Sequence, residues 1–449
     1  MSIAHLAYDR GTITINIKVP HAKWDSRSNC YRALALYYRD IVEYLKNSGI
    51  KFQDEVLNLI SCPELKCDIR LRDYQEKALY SWIKAGKLGS IVLPTGAGKT
   101  FVAIKAIAMV NAPSIIIVPT LELLNQWKSK LEEEFGIEIG VYGGGKHELR
   151  AITVATYDSA YLRAEELGNK FLLAIFDEVH HLPAPGYSAI AEFFASPYRL
   201  GLTATYERED GLHFELQRLI GGKVFEVGIN ELSGKHLAEY ELRIIHTELT
   251  PEEKIEYERN YKAYLSYIRE KKIDLQELIM RSGRDKKARE ALLARHRART
   301  IALNSEAKLL ALKRILEHHR GERIIIFTEH NSLVYRISRR FLIPFITHKT
   351  KRDERQRNLE NFKKGIYNAI VTSKVLDEGI DVPEASIGVI LSGSGSTREY
   401  RQRLGRILRK KDNKKAILYE IVSKRTTEVG TLKRRHMPVW KKISKRKKV

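Results

Sequence analysis

The chain has 449 residues, and its 78 Lys and Arg residues outnumber 55 Asp and Glu residues, which gives a formal net charge of +23. This length exceeds one ordinary domain and suggests about three or four units. The charge favours a polyanionic partner, nucleic acid before an acidic membrane surface. No apolar run approaches the roughly 20 residues of a membrane span, and residues 1–10 lack a signal-peptide pattern. The three cysteines lack a paired metal-ligand spacing and predict free thiols inside a cell.

Residues 1–65 are expected to form a small α+β module without catalytic residues. Leu6 to Tyr8 and the alternating apolar residues from Ile13 to Val19 predict a β-hairpin with one buried face. A helix is predicted from Tyr31 to Ser48, where Gly49 ends it.

Two α/β domains are predicted after this module, in residues 66–235 and 236–449. Short apolar runs alternate there with helical segments, a pattern typical of a parallel sheet covered on both faces. The first region has candidate strands at Ser90–Leu93, Ser114–Val118, Ile152–Ala155, Leu172–Phe176 and Leu200–Leu202. The second has them at Ile324–Phe327, Ala369–Thr372, Ile387–Leu391 and Ala416–Ile421.

A glycine-rich loop follows the first of these strands and precedes a predicted helix from Phe101 to Val110. Its glycines let backbone N–H groups close around phosphates at a helix N-terminus. Lys99 is expected to neutralise the β and γ oxygens, and the Thr100 hydroxyl to ligate magnesium. Leu93 stands where the strict Walker pattern has Gly. The expected nucleotide-binding residues are Thr95, Gly96, Ala97, Gly98, Lys99 and Thr100, and they predict nucleotide phosphates and Mg²⁺ as ligands.

An acidic pair, Asp177 and Glu178, comes at the end of the predicted strand Leu172–Phe176. One carboxylate there can hold magnesium while the next orients or deprotonates the attacking water, the two tasks of phosphoryl transfer to water. An Asp-Glu pair after a strand is weak evidence alone. Following a phosphate loop at this distance, it indicates nucleotide hydrolysis.

These segments resemble motifs I and II of superfamily 2 helicases of the DEXH kind. Further motifs of that family are matched as well: the adenine-reading Q-type motif by Arg72-Asp73-Tyr74-Gln75, motif Ia by Val118-Pro119-Thr120 with Gln126 and Trp127, motif III by Leu202-Thr203-Ala204-Thr205, motif IV by Ile325-Ile326-Phe327-Thr328, motif V by residues 372–383 and motif VI by residues 402–409. The resemblance implies two RecA-like parallel-sheet domains that hydrolyse ATP in the cleft between them. It also implies nucleotide contacts by Arg72, Gln75, Gly379 and Asp381.

The segment 402–409 resembles motif VI and carries the expected arginine fingers. Arg406 and Arg409 are three residues apart, on one face of a helix, and suit the stabilisation of charge on a transferring phosphoryl group. Arg401 and Arg403 are expected on a solvated or nucleic-acid-facing surface.

Within this superfamily the chain resembles the XPB helicases of nucleotide excision repair and transcription initiation. The residues that carry the likeness are Tyr8 to Ile13, the triplet Arg208, Glu209 and Asp210, and a helical insertion between the domains. The resemblance implies that the N-terminal module senses distorted DNA, that the triplet helps to open the duplex, and that movement is 3′-to-5′. It also implies a repair nuclease or transcription factor as a partner. The long extensions of eukaryotic members are missing, which suggests a compact, archaeal-type homologue.

The insertion, residues 251–300, is expected to be a thumb-like helical hairpin that begins with one long helix from Glu252 to Ser282. Its tyrosines recur at helical spacing and are expected to pack within the hairpin. Basic residues towards its end are expected to grip DNA phosphates: Arg281, Arg284, Lys286 and Lys287. The tail from Lys424 to Val449 has eleven basic residues and predicts a disordered arm that binds nucleic acid.

The sequence therefore predicts an ATP-dependent DNA helicase that acts in repair, at the nucleoid of a prokaryote or in a eukaryotic nucleus. Two alternatives stay open. One is a DNA-distortion binding protein that uses ATP as a switch and unwinds little, and the other is an RNA helicase, since no base-reading code is visible.

Overall fold

A computed structural model describes residues 3–232, 240–373, 385–393, 396, 400, 403 and 416–436. The candidate site residues Gly379, Asp381, Arg406 and Arg409 lie outside this range. Residues up to Leu232 form one compact unit, and the described residues from Tyr240 onwards belong to a second. The predicted boundaries near residues 65 and 235 and the limits of the insertion stay predictions.

The N-terminal module is a five-stranded sheet with one helix against it. Its elements are β1 (Ala4–Asp9), β2 (Thr12–Ile15), β3 (Lys23–Asp25), β4 (Cys30–Leu34), α1 (Tyr38–Asn47) and β5 (Phe52–Glu55). The strand order is β3-β4-β2-β1-β5. Ile13 and Ile15 are buried and their neighbours Thr12, Thr14 and Asn16 are not, which confirms the predicted hairpin with one apolar face. Its second strand ends at Ile15, four residues before the predicted end at Val19.

The predicted helix from Tyr31 to Ser48 is wrong in its first part. Residues 30–34 are strand β4, which pairs antiparallel with β2, and a single 3₁₀ turn at Ala35–Tyr37 separates it from α1. Within β4, Ala33 is buried and its neighbours Arg32 and Leu34 are only partly buried, as expected in a strand. The free edge of β2 needs a hydrogen-bonding partner, and this tertiary requirement overrides a local pattern that suits a helix.

The module is fixed to the rest of the first unit by a tyrosine and a glycine. The Tyr8 hydroxyl lies 2.9 Å from the Glu165 carbonyl oxygen and 3.1 Å from that of Phe193. Gly11 has a φ of +86°, and a Cβ there would lie 2.5 Å from the Phe193 ring. Two residues of the XPB-like element thus join the module to the neighbouring domain.

The first α/β domain is built on an eight-stranded sheet of order β13-β6-β12-β11-β7-β10-β8-β9. Only the pair β8–β9 is antiparallel. The strands are β6 (Leu88–Val92), β7 (Ser114–Val118), β8 (Gly140–Gly143), β9 (Lys146–Glu148), β10 (Ile152–Thr156), β11 (Leu173–Asp177), β12 (Tyr198–Thr203) and β13 (Lys223–Glu226). The α/β prediction is confirmed here, and the predicted strand Ser114–Val118 has the observed limits.

The helices of this domain cover the sheet and close its core. They are α2 (Asp73–Lys84), α3 (Lys99–Val110), α4 (Leu121–Phe135), α5 (Tyr157–Leu162), α6 (Ala164–Leu167), α7 (Ser188–Phe193), α8 (Leu216–Ile220) and α9 (Ile229–Leu232). Strands β7, β10 and β11 are buried throughout, as expected for a sheet with both faces covered.

The second α/β domain has a six-stranded parallel sheet of order β14-β19-β18-β15-β17-β16. The strands are β14 (Tyr240–Thr247), β15 (Ile324–Phe327), β16 (Phe345–Ile346), β17 (Ala369–Thr372), β18 (Ile387–Ile390) and β19 (Ala416–Ser423). Helices α13 (Glu306–His318), α14 (Asn331–Phe341), α15 (Arg352–Lys364) and α16 (Thr427–His436) accompany them.

The insertion is helical, but its predicted single long helix is wrong. It consists of α10 (Pro251–Lys271), α11 (Leu275–Ser282) and α12 (Lys286–Leu303). Lys272 adopts a left-handed conformation with φ +52°, and Asp274 accepts a hydrogen bond from the Glu277 N–H and starts α11. That capping signal was present in the sequence. Tyr257 and Tyr267 are buried within the hairpin's own clusters, which confirms the expected packing of its tyrosines.

The expected disordered tail is wrong over its first part, because residues 427–436 form α16. Residues 437–449 lie outside the described range. No helix in the described parts of the chain is long and apolar enough to cross a membrane. Cys30, Cys62 and Cys67 are free thiols, as predicted.

Candidate active site and nucleic-acid surfaces

The glycine-rich loop lies between β6 and α3, as the sequence predicted. Gly96 and Gly98 have φ of +82° and +77°, a left-handed backbone that glycine adopts without steric cost. The loop borders a cavity of about 340 Å³ that is also lined by Arg72 and Gln75. Lys99 starts α3, and its ammonium donates to the Leu93 carbonyl over 3.3 Å.

Gln75 holds the phosphate loop through hydrogen bonds to its backbone. Its amide nitrogen donates to the Ala97 carbonyl over 2.9 Å, and its amide oxygen accepts from the Arg72 N–H over 2.9 Å. The Tyr74 hydroxyl donates to the same Ala97 carbonyl over 2.8 Å. A Cβ at Gly98 would lie 2.4 Å from the Gln75 amide nitrogen. The adenine-reading role expected of Arg72 and Gln75 stays a prediction. The structure shows a second role for Gln75, which is to hold the backbone of the phosphate loop.

Asp177 ends strand β11 and is buried. Its carboxylate accepts from the Trp127 indole over 2.8 Å and from the Glu178 N–H over 3.0 Å. Burial and the neighbouring Glu178 charge raise the pKa of Asp177 to about 6, while Lys99 acts in the opposite direction. Two adjacent carboxylates in so little solvent favour a cation between them and the phosphates.

Glu178 has a φ of +47°, which is uncommon outside glycine and often marks a functional position. Its carboxylate lies 3.3 Å from the Thr203 hydroxyl and 3.4 Å from Nδ1 of His180. The His180 nitrogen is in turn 3.0 Å from the Thr203 hydroxyl. Motif II is thereby joined to motif III at the end of β12.

The residues around this site fit a nucleotide and a magnesium ion. The Thr95 and Thr205 hydroxyls are buried and have no hydrogen-bond partner among the described residues, so they are left over for a ligand or water. Hard oxygen donors suit Mg²⁺, which binds through one or two carboxylates together with phosphate oxygens. The chain supplies Thr100 and Asp177 for this purpose.

The position of Arg403 corrects a prediction. Expected on a solvated or nucleic-acid-facing surface, it is 2% exposed, and its guanidinium lies over the Phe327 ring, 5.4 Å from the centroid. A planar, weakly hydrated guanidinium can be buried against an aromatic ring at lower cost than an ammonium.

The triplet Arg208, Glu209 and Asp210 lies in the loop after β12. The Arg208 guanidinium pairs with the Asp210 carboxylate at 2.6 Å and also donates to the His180 carbonyl. Its side chain is 18% exposed, and the bond to Arg208 lowers the pKa of Asp210 to about 2. The arginine is therefore tied to motif II, and its strand-opening role stays a prediction.

The basic residues of the insertion differ in their surroundings. Arg281 is half-exposed and paired with Glu277. Arg284, Lys286 and Lys287 are exposed around the start of α12, and no carboxylate of the described residues forms an ion pair with them. These three are the better candidates for phosphate contacts.

The sequence reasoning missed three side chains at the carboxylate pair. Trp127 was matched to motif Ia, yet its bond to Asp177 was not foreseen, nor was the bond from the Tyr157 hydroxyl to the Asp177 carbonyl at 3.1 Å. Thr203 was assigned to motif III without its contact to Glu178. The indole N–H of a buried tryptophan can only donate a hydrogen bond and usually has an acceptor. The need of Trp127 for such an acceptor was the signal that could have predicted its contact.

Three family profiles match the chain. Residues 68–208 match the type III restriction enzyme res subunit, residues 287–439 the ERCC3/RAD25/XPB C-terminal helicase, and residues 6–56 the Xeroderma pigmentosum group B helicase damage recognition domain. Together with the two parallel sheets and the phosphate loop, these matches define a helicase of superfamily 2.

The relatives narrow this class. The DNA 3′-5′ translocase XPB2 of Sulfurisphaera tokodaii is 46% identical over 96% of this chain and 100% of its own length. The DNA 3′-5′ helicase XPB of Mycobacterium tuberculosis is 32% identical over 79% of this chain and 61% of its own. The chain belongs to the XPB family of ATP-dependent DNA helicases.

Other relatives are longer than this chain. It spans 43% of the yeast general transcription and DNA repair factor IIH helicase/translocase subunit XPB/SSL2, with 30% identity. Among solved structures, the Pyrococcus furiosus Hef helicase domain aligns with 80% of this chain and 97% of its own at a TM-score of 0.53 and 19% identity. That likeness supports the fold.

Proposed function

We propose that this protein is an ATP-driven motor that moves 3′-to-5′ on DNA and opens the duplex near distortions during repair. The observation that supports this most is the arrangement at the end of β11, where buried Asp177 is fixed by Trp127 and Glu178 contacts Thr203 of motif III. A carboxylate pair held from both sides suits water activation next to a phosphate loop.

Each site residue has a proposed task. Gly96, Gly98 and Lys99 bind the phosphates, and Thr100 and Asp177 hold Mg²⁺, which neutralises phosphate charge when bound. Glu178 orients the attacking water through its free lone pairs, with Thr203 fixing the carboxylate. Arg406 and Arg409 stabilise the charge that develops on the phosphoryl group.

The N-terminal module offers an exposed aromatic side chain for distorted DNA. Trp24 is 53% exposed on the edge strand β3, next to the exposed Lys23. The Asp25 carboxylate accepts hydrogen bonds from Arg27 and Ser28 and so fixes the adjoining turn. A rigid, exposed indole beside basic groups suits stacking on an unpaired base, which contributes about 1–3 kcal/mol.

This role of Trp24 predicts a selective loss of affinity. Trp24→Ala should weaken binding to a duplex with unpaired bases by roughly 10-fold, whereas Trp24→Phe should retain most of it. Fluorescence anisotropy with matched and mismatched duplexes measures both. An equal loss on both duplexes would show that Trp24 does not read distortion.

One experiment tests the motor itself. Steady-state ATP hydrolysis is measured with single-stranded DNA, duplex DNA, forked DNA and RNA as competing activators. Preferred activation by forked DNA supports the proposal. Preferred activation by RNA would indicate an RNA helicase. Absence of multiple turnover with every activator would indicate a DNA-binding protein that uses ATP only as a switch.

We also propose that the protein acts at the nucleoid of a prokaryotic cell and cooperates with a repair nuclease or a transcription factor. The name of the yeast relative, a subunit of a general transcription and DNA repair factor, supports such an assembly. Affinity purification from DNA-damaged cells, compared with undamaged cells, tests for the partner.

A further inference from the structure

A set of buried charged side chains lies under helix α16 in the second α/β domain. Lys308, on α13, is 1% exposed, and its ammonium donates to the Leu391 carbonyl over 2.7 Å and to the Glu428 carboxylate over 2.6 Å. The other Glu428 oxygen accepts from the Ser423 N–H over 2.9 Å. Charges this deep stay in place only when both partners and their extra hydrogen bonds are present, so the start of α16 is fixed to the core.

The other end of α16 is fixed in the same way. Glu420 on β19 is fully buried, and its carboxylate pairs with the Arg435 guanidinium. The ring of His436 lies 2.8 Å from the second Glu420 oxygen. Ion pairs therefore hold α16 at both ends, to helix α13 at its first turn and to strand β19 at its last.

The same helix reaches the segment that leads into motif VI. A Cβ at Gly393 would lie 2.8 Å from Nη1 of Arg403 and 3.0 Å from Nη2 of Arg435. The His436 ring meets the Tyr400 ring edge-on, with centroids 4.8 Å apart. Thus α16 contacts both the backbone at Gly393 and the side chain of Tyr400.

We propose that α16 positions Arg403, the described residue of motif VI, and that ATP hydrolysis depends on this placement. The last turn of α16 and the small residue Gly393 border the buried Arg403 guanidinium. In the sequence, Arg406 follows Arg403 by three residues. This proposal rests on the role given above to Arg406. Arg403, Arg435 and His436 are positioning residues, since none of them needs to touch ATP. A displacement of about 1 Å at a catalytic group can cost up to roughly 100-fold in rate.

Gly393→Ala tests the proposal, with Gly430→Ala as its matched control. The added methyl at 393 meets two guanidinium groups, whereas at Gly430, on α16, it meets nothing within 4 Å. Gly393→Ala should lower kcat of DNA-stimulated ATP hydrolysis by about 10-fold or more and leave KM for ATP and the melting temperature near the wild-type values. Gly430→Ala should retain wild-type kcat. Wild-type kcat in a folded Gly393→Ala protein would overturn the proposal.

Two further variants separate positioning from folding. Arg435→Lys keeps the charge opposite Glu420 and removes one of the two close groups, so it should restore part of the kcat lost in Gly393→Ala. His436→Ala keeps the Lys308–Glu428 and Arg435–Glu420 pairs and removes two contacts of the His436 ring, the one with Tyr400 and the one with Glu420. This variant is used if Gly393→Ala does not fold. A wild-type kcat in His436→Ala, or equal losses of kcat and melting temperature in all variants, would contradict a positioning role.

The variant Arg406→Ala separates this proposal from the one on which it rests. If Arg406→Ala lowers kcat and Gly393→Ala does not, the arginine finger stands and the positioning role of α16 fails. If Arg406→Ala leaves kcat unchanged, the role of Arg406 itself is wrong.

Discussion

The phosphate loop and the base of helix α16 use the same kinds of polar groups in opposite ways. At the phosphate loop the buried Thr95 hydroxyl has no partner among the described residues, and Lys99 reaches one carbonyl at 3.3 Å. At the base of α16, the Lys308 ammonium and both oxygens of the Glu428 carboxylate are hydrogen-bonded within the protein. The first region keeps its polar groups for a ligand, whereas the second uses them to fix its own elements. Substitutions in the two regions should therefore damage different properties.

The largest effect is expected at the phosphate loop and the acidic pair. Glu178→Gln should keep nucleotide binding and lower turnover by about 10²-fold or more, because only the water-orienting charge is lost. Lys99→Ala should reduce binding and turnover together. Nucleotide titration and steady-state hydrolysis measure the two properties, and melting temperatures near the wild-type value are expected for both variants. Wild-type hydrolysis by Glu178→Gln would remove this carboxylate from the mechanism.

The buried pair under α16 should show the opposite pattern. Lys308→Met leaves the Glu428 charge buried without its partner and should lower the free energy of unfolding by about 3–5 kcal/mol. The double variant Lys308→Met with Glu428→Leu removes both charges and should recover most of that loss. Urea denaturation measures both. Additive losses in the double variant would show that the pair is not coupled.

The Arg208 loop lies between these two cases. Its arginine is bonded to groups of the protein, as in the buried pair, but it remains partly exposed to solvent. Arg208→Ala, alone or with Glu209→Ala and Asp210→Ala, should impair strand separation on a forked duplex several-fold and leave most DNA-stimulated ATP turnover intact. Both activities are measured on one preparation. Because Arg208 also bonds the His180 carbonyl, equal losses would assign the loop to the ATPase cycle, and normal unwinding would make it a surface turn.

The smallest effect is expected for basic groups that have no ion pair. Neutralising Arg284, Lys286 and Lys287 should weaken DNA binding about equally for all sequences and reduce its salt slope by roughly 0.9 per lost phosphate contact. The paired Arg281 provides the control and should contribute less. Truncation after His436 tests the basic tail without disturbing Arg435 and Glu420. An unchanged slope after both changes would favour a protein partner for these segments.

Most of the fold could be predicted because buried parallel strands have a strong signal. The runs Ser114–Val118, Ile324–Phe327 and Ala369–Thr372 are strands with the predicted limits. The prediction failed at residues 31–34, whose strand exists because β2 needs a partner across the sheet. It also failed at Lys272, where a single left-handed residue breaks a helix.

The candidate site was located from sequence because its motifs are local. Residues 95–100 and the pair Asp177 and Glu178 are short segments whose chemistry can be read without a structure. The contacts that bring Trp127 and Thr203 to that pair join positions far apart in the chain, and no local pattern records them. The contact of Arg403 with the Phe327 ring also joins distant positions. Arg403 was predicted to lie at the surface because its charge was the only local signal.

The attachment of the N-terminal module has a consequence for how the protein searches DNA. Tyr8 and Gly11 fix the module against Phe193. The module therefore cannot search DNA independently of the first α/β domain, whereas a domain on a flexible tether could. If Trp24 reads distortion as proposed, it samples DNA only where the first α/β domain already stands. Inspection by Trp24 would then advance only with the movement of the whole protein along DNA.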